Sequence, residues 1–128
     1  MMACPESPRS SLDKLACRAA DLYRTNRRVN RLEKEIFPLL ETNGLRAEFI
    51  RGERHWLRYR RESCLTQASP HIGDPVLVQA FGTTAFGFET MDCEIARNKA
   101  HASDLRVIAL RTGVRHRSEK ELRVKAKP

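Results

Sequence analysis

Apolar residues recur through the first third of the chain at three- and four-residue steps: Leu12, Leu15, Ala16, Ala19, Leu22, Tyr23, Val29, Ile36, Phe37 and Leu40. That spacing keeps one side of a helix apolar and predicts a long amphipathic helix. Ser11 serves as its N-cap, with Lys14 rather than Glu at the reciprocal capping position. Pro38 has no N–H to donate and should end or kink the helix. Asn43-Gly44 reads as a helix-stopping turn. A second helix is predicted from about Leu45 to Leu65, with Leu45, Phe49, Trp56, Leu57 and Cys64 apolar. So short a link predicts antiparallel neighbours, with Cys17 brought toward Cys64. Ser69 to Gly73 reads as a loop. From Asp74 to Gly82 two readings compete. Val76, Leu77 and Val78 have strand propensity, while Asp74 as N-cap, Pro75 at the first helical position and Gly82 past the end favour a short helix. A third long helix is predicted from about Ala85 to Leu110 on the stripe Met91, Ile95, Ala102 and Leu105, with Thr112-Gly113 as its stop.

These elements define an all-α fold. We expect a small disulfide-stapled helical bundle built on a long antiparallel helical hairpin plus a third long helix. Residues 1–10, rich in Pro and Ser, form an extended N-terminal arm. Residues 11–111 form the helical domain, and residues 112–128 a basic tail expected to be mobile. No internal repeat is visible.

Charge sharpens the picture. Lys and Arg number 24 against 16 Asp and Glu, a net charge of +8, and Arg greatly outnumbers Lys. From Arg111 to Pro128 seven basic residues face two acidic ones, so this short stretch carries +5 of the excess. Such a balance favours anionic partners: nucleic acid, anionic lipid or an acidic polymer. No apolar run is long enough to span a membrane. Met1 to Leu15 lacks the hydrophobic core of a signal peptide, so export requires a leader that was removed or that lies before the given start.

The four cysteines, Cys4, Cys17, Cys64 and Cys93, form an even set without any C-x-x-C pair. In a short chain this points to two disulfides and an oxidising compartment, and away from zinc. All three pairings remain open. Trp56, Arg60 and Cys64 share one face of the second helix at i, i+4 and i+8. Trp56 is a core anchor or a ligand platform, and Arg60 either stacks on Trp56 or pairs with Glu33. Asn26, Asn30 and Glu33 interrupt the apolar stripe of the first helix and need polar partners. They act as interhelical glue or as a binding site. Arg24, Arg27, Arg28 and Arg31, with Arg51, Arg54, Arg58 and Arg61, form either a solvated face or a phosphate-binding one. His55, His71, His101 and His116 have no metal-ligand spacing, and no hydrolase or nucleotide motif is present. Neither Cys64 as a nucleophile nor a Glu53–Glu62 carboxylate pair has local support. No catalytic residue, cofactor or metal is expected.

Glu53-Arg54-His55-Trp56-Leu57-Arg58-Tyr59-Arg60-Arg61-Glu62-Ser63-Cys64 resembles the segment Q-R-x-W-x-x-Y-R-x-x-x-C of the LprI-like lysozyme-inhibitor domain of bacteria. Asn26 to Asn30 resembles that family's D-x-x-L-N, Cys17 precedes it at a similar distance, and Gly82-Thr83 and Cys93 follow in order. Asn98, His101 and Leu105 stand where the family places Thr, Arg and Leu. Departures are Glu53 for Gln, Asn26 for Asp, Val29 for Leu, Glu33 for an aromatic and His101 for Arg. The resemblance implies a periplasmic or extracellular helical domain with disulfides, in which Asn30, Trp56, Tyr59 and Arg60 are structural. It implies a non-catalytic protein that occludes a partner's cleft, with a lysozyme-type glycosidase as the partner. Lysozymes of this kind are basic, so a chain of +8 meets a like-charge penalty unless local complementarity offsets it. The paired carboxylates of a lysozyme cleft offer that complementarity to His71, in its expected loop, or to Arg54, Arg58 or Arg61. The alternative is a basic envelope protein that binds an anionic polymer: peptidoglycan, lipopolysaccharide or nucleic acid.

Overall fold

A computed structural model of the chain describes residues 11–72 and 84–126. Helix α1 spans Ser11–Ile36, a single 3-10 turn spans Phe37–Leu39, helix α2 spans Asn43–Ile72 and helix α3 spans Thr84–Ala126. Among the described residues there is no strand. The expected all-α fold is therefore observed. The short element at 74–82, Cys4 and the N-terminal arm lie outside the described residues.

Local chemistry explains the first reversal. Pro38 falls in the 3-10 turn, where the chain leaves the α-helix and Leu40 takes an extended conformation. Thr42 then caps α2: its Oγ1 accepts the Leu45 N–H at 3.1 Å. Asn43 and Gly44 thus begin α2 rather than forming a separate stop. At its other end α2 continues through residues expected to be a loop and ends at Ile72. Helix α3 also exceeds its expected length. It passes Thr112-Gly113 and reaches Ala126, so that stop does not operate. One interior glycine costs a helix only about 1 kcal/mol, and the long polar residues around it are good helix formers.

Helix α3 packs most extensively along α1 and next along α2, and the α1–α2 seam is the loosest of the three. The shared core is Val29 and Ile36 from α1 with Ala102 and Leu105 from α3. Leu32, Leu40, Phe49, Trp56 and Ala109 cover its edges. Burial of each large aliphatic side chain contributes about 1.5–3 kcal/mol, so this core is modest for the chain's length. Cys64 and Cys93 form a disulfide that ties the later part of α2 to the first half of α3, with Cα atoms 5.5 Å apart. Cys64 is fully buried. Cys17 is disulfide-bonded as well, though not to Cys64, the cysteine it was expected to approach.

Candidate polar-network site

A run of polar side chains lies between the disulfide and the apolar core, at the meeting of all three helices. Arg60 of α2 is its hub. Its Nη1 donates to Asn26 Oδ1 of α1 at 2.7 Å and to Asn98 Oδ1 of α3 at 2.8 Å. Asn98 is wholly buried. Its Nδ2 donates to Thr25 Oγ1 at 3.0 Å and to Asn26 Oδ1 at 2.8 Å. Both ends of the Asn98 amide are therefore engaged, as burial demands. Arg60 Nη2 also lies 4.0 Å from Glu94 Oε2, which balances part of its charge. Arg60 Nε has no hydrogen-bond partner among the described residues.

Toward the reversal the network turns aromatic and then acidic. The Arg60 guanidinium stands 5.3 Å from the Trp56 ring centre. His101 stacks on the same indole, with ring centres 3.9 Å apart and planes 10° from parallel. His101 Nε2 is 2.7 Å from Glu53 Oε2, so a hydrogen bond joins the ring to the carboxyl. Glu53 in turn hydrogen-bonds Glu33. Burial pushes the Glu33 carboxyl up to about 7, helped by that hydrogen bond and by the charge of Glu53, and opposed by His101. The carboxyl pair thus holds a proton near neutral pH, with Glu33 donating to Glu53.

Glu33 and Glu53 also edge a groove of about 540 Å³ between α1 and α2. Its apolar lining comes from Phe37, Pro38, Phe49, Ile50 and Leu57, with Lys34 and Arg54 on the rim. The loose α1–α2 seam creates this opening. Chemically, the groove offers an apolar bed beside two carboxyls and two cations. Among the described residues no group of three or more His, Cys, Asp or Glu is arranged to hold a metal ion.

The structure distributes the sequence-nominated residues unevenly. Trp56 and Arg60 are in the network, and Arg60 stacks on Trp56 and bonds Asn26 and Asn98 rather than pairing with Glu33. Asn30 is exposed on the α1–α2 groove. Tyr59 is 47% exposed, with the Arg97 guanidinium 5.2 Å from its ring centre. Arg58 and Arg61 are exposed on α2. His71 belongs to the last turn of α2 rather than to a loop, and its side chain lies outside the described residues. The arginines of α1 and α2 do not form one face: Arg28 and Arg31 turn toward α3, whereas Arg54 lines the α1–α2 groove. Sequence reading missed the roles of Thr25, Glu94 and the His101–Glu53 pair. It also gave Asn98 no bonding role, although a signal existed. Asn98 sits between Ile95 and Ala102 on an apolar stripe, the same interruption that marks Asn26.

No protein-family model, no curated protein and no solved structure matches this chain. Fold and site together define it as a small helical protein with a disulfide between its second and third helices and a polar network joining all three.

Proposed function

We propose that the chain is a non-catalytic, extracytoplasmic binding protein of the LprI-like lysozyme-inhibitor kind, which acts by occluding the cleft of a protein partner. One observation carries this reading. Segments far apart in sequence that stand at the family's motif positions supply neighbouring parts of one structural unit: Trp56, Arg60 and Cys64 meet Cys93 and Asn26, Asn98 and His101, the last three differing from the family in residue type. The disulfides favour an oxidising compartment. In this reading the network is the frame, and the exposed surface of the bundle makes the contact.

The decisive assay is lysis of bacterial cell walls by animal-type lysozyme with increasing amounts of the protein. Dose-dependent protection is expected, and none at high molar excess would end the inhibitor reading. A second reading, binding of an anionic polymer, is favoured by the net charge of +8. It predicts retention on heparin or DNA that falls steeply with salt.

A further inference from the structure

Helix α3 carries apolar residues on two opposite sides. One stripe, Ile95, Ala102 and Leu105, is buried in the bundle. At 3.6 residues per turn, Val107 and Val114 fall roughly on the other side, and Leu110 lies beside them at the edge of the groove toward α1. Val107, Leu110 and Val114 are 46%, 62% and 54% exposed. A helix needs only one such stripe to pack in a bundle. The second has no partner among the described residues.

Cations flank that second stripe on both sides. Arg106 and Arg117 lie along one edge, and Arg111 and Arg115 along the other; all four are exposed. The Arg106–Arg117 edge continues across a groove of about 480 Å³ to Arg28 and Arg31 of α1. None of these six arginines makes an ion pair among the described residues. The acidic residues of this stretch, Glu119 and Glu121, come only past the last flanking arginine. An apolar line between two rows of unpaired arginines is the pattern of a helix that lies in a lipid interface, its apolar residues among the acyl chains and its cations at phosphate groups. No helix is long and apolar enough to cross a membrane, so the contact lies along the surface.

We propose that residues 106–117 of α3, with Arg28 and Arg31 beside them, form a docking face for an anionic phospholipid surface. Charge complementarity selects phosphate-bearing lipid, and the exposed apolar stripe selects a bilayer over a soluble polyanion, which offers nothing to bury Leu110 and Val114. The proposal does not rest on the lysozyme reading.

The test is co-sedimentation of the full chain with vesicles of phosphatidylcholine, alone or mixed with phosphatidylglycerol, alongside retention on heparin. Binding is expected to the mixed vesicles and not to phosphatidylcholine alone. The double variant Leu110→Ser/Val114→Ser should partition roughly tenfold or more less onto mixed vesicles, since it removes the methylenes that insert. Its heparin retention should stay unchanged. Arg111→Ala/Arg115→Ala should weaken vesicle binding more than Arg51→Ala/Arg58→Ala, which removes equal charge from α2. Unchanged vesicle binding by the serine variant, or equal losses from the two arginine pairs, overturns the proposal in favour of diffuse charge attraction. Circular dichroism checks the fold of each variant, and Val114→Ser alone decides the matter if the double variant loses helix.

Discussion

Glu33 occupies a place where the periodicity of α1 calls for an apolar side chain, and the consequence is electrostatic. Burial and the neighbouring Glu53 raise its carboxyl from 4.5 to about 7. A group whose folded pKa exceeds its unfolded value binds more protons when folded, so stability falls as pH rises between the two values. The stabilising contribution of the protonated carboxyl is complete below about pH 4.5 and disappears as pH passes about 7. Glu33→Gln mimics the protonated form at every pH. Thermal melts from pH 4.5 to 8 should therefore show a shallower decline for Glu33→Gln than for the wild type, with the variant the more stable at pH 8. Parallel curves would mean that Glu33 titrates as it does in the unfolded chain. The interruption itself was legible, because a carboxyl on an apolar stripe stands out in any helical reading. Its partner was not. Glu53 and His101 lie on other helices, and nothing in their local spacing announces a carboxylate–imidazole pair stacked against Trp56.

At the level of elements, periodicity located all three long helices, while short-range stop signals misjudged their ends. Gly44 and Gly113 both read as terminators. One falls in the first turn of α2 behind the Thr42 cap, and the other sits inside α3. Helix propensity along the flanks outweighs one glycine, and that comparison is invisible to a rule that looks only at the breaker. Cysteine pairing was equally unreadable, since spacing cannot say which helix ends meet. The observed Cys64–Cys93 bridge closes a loop of 29 residues between α2 and α3. In the chain-entropy account a loop of that length contributes about 3–4 kcal/mol by restricting the unfolded ensemble. Cys64 lies one helical turn beyond Arg60, so the bridge also holds the seam where Arg60 reaches Asn98. Urea titration of Cys64→Ala/Cys93→Ala should show a loss of about 3 kcal/mol. A midpoint equal to that of the wild type would show that the helices hold their places without the covalent link.

The molecule as a whole combines a modest apolar core with a net charge of +8. Two electrostatic effects then oppose each other when salt is added. Screening weakens favourable ion pairs, which lowers stability, and it weakens the mutual repulsion of excess arginines, which raises it. Among the described residues Arg18–Asp92 and Arg24–Asp21 stand at the surface, where such contacts contribute about 0–1 kcal/mol each. The Arg60 contacts are shielded by burial and respond little. Repulsion is the larger exposed effect, because Arg28, Arg31, Arg106 and Arg117 outnumber Glu35 in the lining of the α1–α3 groove, and further arginines continue along α3. The Debye length falls from about 30 Å at about 0.01 M salt to about 8 Å at about 0.15 M, so salt added over that range weakens repulsion between charges that line one groove. Raising sodium chloride from about 0.01 M to about 0.15 M should therefore raise the melting temperature by about 2–5 °C at neutral pH. Replacing Arg28, Arg31 and Arg106 by Gln should remove most of that rise, because the charges responsible would be gone while the helices keep good helix formers. A melting temperature that falls with salt in the wild type would place the balance with the ion pairs, and the charge excess would then shape encounters with partners without straining the fold.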